Sequence, residues 1–376
     1  VIARGAGPLR LPFLDGMRAL AAAYVVLFHV VMGFSAAAFV GRWGPVRRLF
    51  VFGHEAVAVF IVLSGYCLML PVVRQEPARL AVPFAKFMRR RALRILPPYA
   101  AALALSLALI AAFAPLRRGH TGTIWDDSLP GLDLGAVLSH LLLVHNWSPA
   151  WVYQINGPLW SVATEWQIYF FFPLVLLPVW RRAGGFVALA TMAVIGYAPL
   201  LVAPDAAGKA IPWYLVLFSF GTIAANLSGA PTTARSTRKR VPWGLVTAAC
   251  WALCLAFVIV MPNAWFRLRP VSDVLVGSAT ATLLAYLTGQ ATADGKSRGV
   301  LLRSLESRWL VGLGHFSYSL YLTHLPIVAL CAIAVSRLTW SPLARAAALA
   351  FVSVPLSVGF AYVFFVVVER PALRWR

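Results

Sequence analysis

The chain has 376 residues, of which 61% are hydrophobic and only 12% charged, with a formal net charge of +21 and a mean hydropathy of +0.79. So few charges cannot cover the surface of a soluble fold, whereas lipid-facing helices need none. The positive excess would point to nucleic acid in a soluble protein; here short basic loops facing anionic lipid account for it, and nucleic acid is excluded as a partner.

A membrane span needs about 20 mostly apolar residues. Ten stretches qualify: 15–35, 54–73, 93–114, 158–179, 185–203, 211–227, 243–261, 271–289, 309–335 and 345–368. The segment from Leu134 to His145 is apolar but short, and reads as an interfacial or re-entrant helix. With the N-terminus taken as cytoplasmic, the inside segments carry 22 lysines and arginines and the outside loops 10. That bias predicts both termini inside, in a multi-pass protein of the inner (plasma) membrane. The outside connection 115–157 leans acidic at Asp126, Asp127 and Asp133, and 229–242 reads as a solvated cytoplasmic loop. The fold class expected is therefore all-α, a polytopic helical bundle forming one domain over 1–376. No internal repeat recurs at fixed spacing, and no appended soluble domain is expected. Cys67, Cys250, Cys254 and Cys331 fall in apolar stretches without a ligand pattern, so neither a disulfide nor a metal is expected.

Ionisable groups at membrane depth are costly and mark function. In the first span Arg18 and His29 are eleven residues apart, nearly a whole number of helical turns, so both project from one face. Arg18 falls near the cytoplasmic surface and His29 in the outer half, about 16 Å apart along the axis. The bland alternative is a snorkelling arginine and a packing histidine. The second span holds His54 and Glu55 at its outer mouth and Ser64-Gly65-Tyr66 deeper in, where Gly65 suits close helix approach. At the inner end of the third, Arg89-Arg90-Arg91-Ala92-Leu93-Arg94 either obeys the charge rule or holds phosphates, which arginine grips bidentately. Pro97-Pro98 is expected to interrupt this helix early and free backbone groups to line a cavity. The fourth span places Glu165 about two turns below its outer end, at the depth expected for His29. A carboxylate there would fix the imidazole tautomer. The ninth span carries Ser317-Tyr318-Ser319-Leu320-Tyr321-Leu322-Thr323-His324, with His324 open to binding substrate or to completing a polar network.

Six pieces taken together resemble the acyltransferase 3 family of integral membrane O-acyltransferases. They are Leu14-Asp15-Gly16-Met17-Arg18 through His29; Val59 to Tyr66; Arg91-Ala92-Leu93-Arg94-Ile95-Leu96-Pro97; Leu159-Trp160-Ser161 through Glu165; Tyr318 to His324; and Val368-Glu369-Arg370-Pro371. They fall in family order over nearly the whole chain. Ala19 stands where the family often has glycine. The resemblance implies about ten helices, a cytoplasmic acyl-CoA donor such as acetyl-CoA, no permanently bound cofactor, and a hydroxyl acceptor on a sugar, glycan or macrolide-type natural product. It implies that His29 is the catalytic base, that Arg18 is essential, and that Arg91 and Arg94 bind the donor. Some relatives carry a fused hydrolase-like domain; the expectation here is action alone or with a recruited partner.

The mechanism expected is acyl transfer in a tunnel. CoA phosphates rest on Arg18, Arg91 and Arg94, and His29, oriented by Glu165, takes the acceptor proton. Direct transfer and an acyl-histidine route both stay open. Tyr66, Ser161 and Asn156 are the candidate oxyanion donors, and Ser64 and His324 complete the substrate-side set. The rival readings are a transporter or glycan flippase, and a sensor without chemistry. Against the first stands the absence of a repeated half. A homo-oligomer is left open as a partner.

Overall fold

The computed structural model describes residues 10–33, 48–74, 80, 82–113, 133–229, 241–293 and 298–375. Asp126, Asp127 and most of the expected loop at 229–242 lie outside them. Every regular element among the described residues is helical, so the chain is an all-α polytopic bundle. Its main helices are α1 (Phe13–Met32), α2 (Gly53–Val73), α3 (Phe84–Ala112), the short α4 (Leu134–Leu141), α5 (Leu159–Phe171), α6 (Leu177–Tyr197), α7 (Tyr214–Gly229), α8 (Trp243–Val260), α9 (Arg269–Ala291), α10 (Ser317–Ser336) and α11 (Pro342–Phe364).

Nine helices among the described residues are long and apolar enough to cross a membrane. One of them runs from Leu159 to Val202, 44 residues, far more than one crossing needs. A π-turn, Phe172–Leu176, joins α5 to α6. Gly184, at φ 85° and ψ 173°, then breaks α6. At 1.5 Å per residue the pieces on either side of Gly184 are each long enough to span. This reconciles nine helices with the ten stretches read from hydropathy.

Three local expectations change. Pro97 and Pro98 lie inside α3, which continues through them for 29 residues. The helix begins at Phe84 rather than 93, about 43 Å in all, so Arg89 to Arg94 sit on its first turns. The ninth span is split: Arg308–His315 is a separate short helix, and α10 starts at Ser317 after Phe316 leaves helical geometry at φ −118° and ψ 20°. The short apolar segment folds as α4, followed by a 3-10 turn at His145–Trp147. It packs back against the bundle, where Gln167 Nε2 donates to the Leu143 carbonyl at 2.9 Å and Tyr99 Oη to that of His140 at 2.8 Å. Its contact point Gln167 lies about 12 Å along α5 from Leu159.

Lipid removes the hydrophobic drive for helix association, so close packing and interhelical hydrogen bonds must hold the bundle. The α2–α7 crossing shows how. A Cβ on Gly65 would run into the Phe218 carbonyl, and one on Gly221 into that of Val62. Neighbouring Tyr66 is fully buried in the same seam, its hydroxyl bonded to Ser228 at 3.1 Å and Thr288 at 2.6 Å.

Helix direction alternates. The start of α1, the end of α2, the start of α3, the middle of α5 and the start of α10 meet around one cavity. The end of α1 and the starts of α2, α5 and α9 meet around another.

Candidate active site

The first cavity holds about 340 Å³ and is lined by Arg18, Arg90, Arg91 and Arg94 together with Ser64, Ser161, Glu165, Tyr169 and Tyr321. Four guanidinium groups reach it because α3 carries three of them within about one and a half turns, and α1 adds the fourth. Arg18 is braced by Asp15 at 2.8 Å and by the Cys67 sulfur at 3.0 Å. Arg91 lies over the Phe87 ring at 5.8 Å, and its Nε is buried without a hydrogen-bond partner. A buried donor left unpaired is costly. The site therefore has hydrogen-bonding capacity in hand for an anion. Besides Asp15, Glu165 presents a carboxylate to this cavity: its Oε1 accepts from Ser64 and from Tyr169, each at 2.5 Å.

The second cavity holds about 280 Å³ and is lined by His29, His54, Tyr153, Trp160, Arg269 and Tyr321, among others. Hydrogen bonding fixes which nitrogen of His29 is free. His324 Nδ1 lies 3.0 Å from the Leu320 carbonyl and 2.8 Å from that of Tyr321. Carbonyls only accept, so this nitrogen carries the proton. His324 Nε2 is then the acceptor for His29 Nδ1, 3.2 Å away. His29 Nδ1 also faces the Val25 carbonyl at 2.9 Å, so it too carries a proton. The lone pair of His29 is left on Nε2, with no hydrogen-bond partner among the described residues. A neutral imidazole held in one tautomer with its other nitrogen free has the chemical capacity to accept a proton.

The two cavities adjoin. Val57 and Tyr321 line both. Tyr321 donates to the Pro158 carbonyl at 3.0 Å and receives Ser161 Oγ at 2.6 Å, so its ring is pinned where the two spaces meet. Arginines lie on one side of it and a tautomer-locked histidine on the other.

The family model for the acyltransferase domain matches residues 11–362. The chain belongs to this acyltransferase family. It is similar to acyltransferase MdmB of Streptomyces mycarofaciens, 27% identical over 97% of this chain and 92% of that protein. It is also similar to O-acetyltransferase OatA of Staphylococcus aureus, 22% identical over 85% of this chain and 51% of the relative. A putative O-acetyltransferase of Staphylococcus aureus (strain COL) is 23% identical over 44% of the chain and 25% of its own length. The chain thus spans nearly all of the first relative but only about half and a quarter of the other two. No solved structure matches.

Within this acyltransferase, the expected arginines meet as a group, and Ser64 and Ser161 line the same cavity. Glu165 is the main correction. It does not orient His29; its carboxylate belongs to the arginine cavity. The depth argument failed because α1 ends at Met32, leaving His29 less than one turn from its end, whereas Glu165 lies nearly two turns into α5. His324 on α10 takes the orienting place instead. Tyr66 faces a packed helix seam, and neither cavity reaches it. Asn156 is fully buried, its amide spent on the Leu322 carbonyl at 2.9 Å and Ser106 at 3.2 Å. Neither is an oxyanion donor in this geometry. Asp273 was missed altogether. It is fully buried and accepts from His54 at 3.1 Å and Trp213 at 2.8 Å.

Proposed function

We propose that this acyltransferase moves an acyl group from acyl-CoA, taken from the cytoplasmic side, to a hydroxyl of a sugar, glycan or macrolide-type acceptor in the inner membrane. The observation that carries this reading is the junction at Tyr321 between a four-arginine cavity and a cavity holding an unprotonated His29 Nε2. Acyl-CoA has polyphosphate at one end and a thioester on a long arm at the other. Arg18, Arg91 and Arg94 suit the phosphates, since guanidinium binds phosphate bidentately. The arm then spans the roughly 16 Å along α1 and brings the thioester past Tyr321.

In the proposed step His29 Nε2 removes the proton of the acceptor hydroxyl. The oxygen attacks the thioester carbonyl, the carbon–sulfur bond breaks, and the proton passes to the departing thiolate. Proton transfer by a positioned base contributes about 10²- to 10⁴-fold. The imidazolium formed at His29 keeps its Nδ1 proton bonded to the Val25 carbonyl and His324. Glu165, held by Ser64 and Tyr169, offsets part of the arginine charge and leaves room for a ligand that binds and departs. Orthodox acetyl transfer is consistent with the name of the O-acetyltransferase relative.

The test is thiol release. Purified protein is incubated with acetyl-CoA and a panel of sugar and macrolide acceptors. Acceptor-dependent release of CoA, lost in His29→Ala while CoA binding persists, is the expected result. Near-normal turnover by His29→Ala would refute the base assignment. No release with any acceptor would return the bundle to a transport role.

A further inference from the structure

His29 is not the only histidine facing the outer cavity. His54, one residue into α2, lines it too. Its Nε2 lies 3.1 Å from Asp273 Oδ2 and 3.2 Å from the Tyr214 hydroxyl. The Tyr214 hydroxyl reaches back to the His54 carbonyl at 3.5 Å. A carboxylate only accepts, so His54 Nε2 carries the proton, and the lone pair of the neutral ring falls on Nδ1. No described residue bonds to that nitrogen. Asp273 is held in turn by Trp213 Nε1 at 2.8 Å. Trp160 stacks against the His54 ring, centroids 5.6 Å apart and planes within 15°. The ring is thus fixed by a carboxylate at its edge and an indole on its face.

The outer cavity therefore presents two imidazoles from different helices, each with one nitrogen tied back and the other free. Acyl transfer relays one proton from the acceptor hydroxyl to the departing thiolate, and His29 suffices for it. A second fixed acceptor in the same space calls for a second hydroxyl on the ligand. Trp160 and Tyr153 add aromatic faces to the wall, and exposed Arg269 adds donors at its mouth. A cavity of about 280 Å³ lies at the small end of ligand sites, which start near 300 Å³, so it suits a single ring.

We propose that His54, positioned by Asp273, is an acceptor-binding residue. It accepts a hydrogen bond at Nδ1 from a hydroxyl that is not acylated, while His29 takes the one that is. The acceptor recognised in this way is a polyhydroxylated ring. The assignment rests on the outer cavity being the acceptor site of the proposed transferase.

The experiment is a cycle between ligand and residue, read by binding. Methyl glucopyranoside and its monodeoxy analogues are titrated into full-length protein in nanodiscs, followed by tryptophan fluorescence. Wild-type and His54→Phe proteins are compared, the phenyl ring keeping the stack on Trp160. The expected result is one deoxy position that weakens wild-type binding about 10-fold, the scale of one buried hydrogen bond. His54→Phe weakens the parent glycoside equally and adds nothing at that position. Asp273→Leu, which removes the oxygen that accepts from Nε2 and so releases the ring from its fixed tautomer, reproduces the loss. Unchanged CoA binding shows that each variant is folded. Losses that multiply at every position, losses equal for all probes, or no saturable binding to wild type would overturn the assignment. Thiol release tests the reaction separately: a protein that binds the glycosides but never releases CoA keeps this site and loses the transferase reading.

Discussion

The arginine cavity and the histidine cavity share Val57 and Tyr321, yet they are assembled in different ways. Three of the four arginines come from one helical run, Arg90 to Arg94, and need only the start of α3 to gather them. The histidine cavity is built from pairs far apart in the chain. His29 depends on His324, and His54 on Asp273. A phosphate site tolerates approximate placement, because charge acts over distance and guanidinium offers several donors. A base does not tolerate it. One nitrogen must be unprotonated, aimed and within hydrogen-bond reach.

This contrast sets the sizes of the expected effects. The largest belongs to His29→Ala, which should lower acceptor-dependent transfer by about 10²- to 10⁴-fold with little change in CoA affinity. Steady-state kinetics with calorimetric CoA binding checks both halves. Next is His324. Replacement by Phe removes one of the two acceptors facing His29 Nδ1, leaving the Val25 carbonyl, and should cut kcat by roughly 10-fold, the scale of one net buried hydrogen bond. His324→Gln restores an acceptor oxygen and should recover part of the loss. If Phe and Gln behave alike, tautomer control is not what His324 supplies.

Arg91→Ala and Arg94→Ala come third. Each should raise the acyl-CoA KM by about tenfold, the scale of one charge-assisted hydrogen bond, with kcat near normal. An unchanged KM would return these arginines to ordinary charge-rule residues of a cytoplasmic helix start. The smallest effect is assigned to Glu165→Gln. Gln still accepts from Ser64 and Tyr169, so the donor KM should move by less than about tenfold. The nitrogen-15 spectrum of His29 should keep its Nδ1-protonated pattern. A collapse as deep as that of His29→Ala would place the Glu165 carboxylate in the chemistry and erase the distinction between the cavities.

The same contrast explains what the sequence made legible. Composition and run length were enough for the all-α bundle, and the charge bias of the loops already implied its alternation. The Gly184 break was readable as the gap between 158–179 and 185–203. Arg91 and Arg94 were visible as a basic run, and Arg18 with His29 as one helix face. Pairings across the bundle were not legible. Nothing local links His29 to His324, 295 residues away, and depth counting suggested Glu165 instead. That count took the first span to end near 35, whereas α1 stops at Met32. Asp273 sat in a stretch read only as a lipid-crossing helix. Its importance rests on Trp213 and His54, which come from other segments. Tyr66 and Asn156 looked available because a sequence does not show which polar groups are already satisfied.

The most direct test of the two-cavity arrangement is an experimental structure with a non-reactive acyl-CoA analogue bound. The expected density places the phosphates on Arg91, Arg94 and Arg18, runs the pantetheine arm past Tyr321, and ends with the thioester carbon near His29 Nε2. Phosphates held elsewhere, or an acyl end that stops on the arginine side of Tyr321 without access to His29, would contradict it.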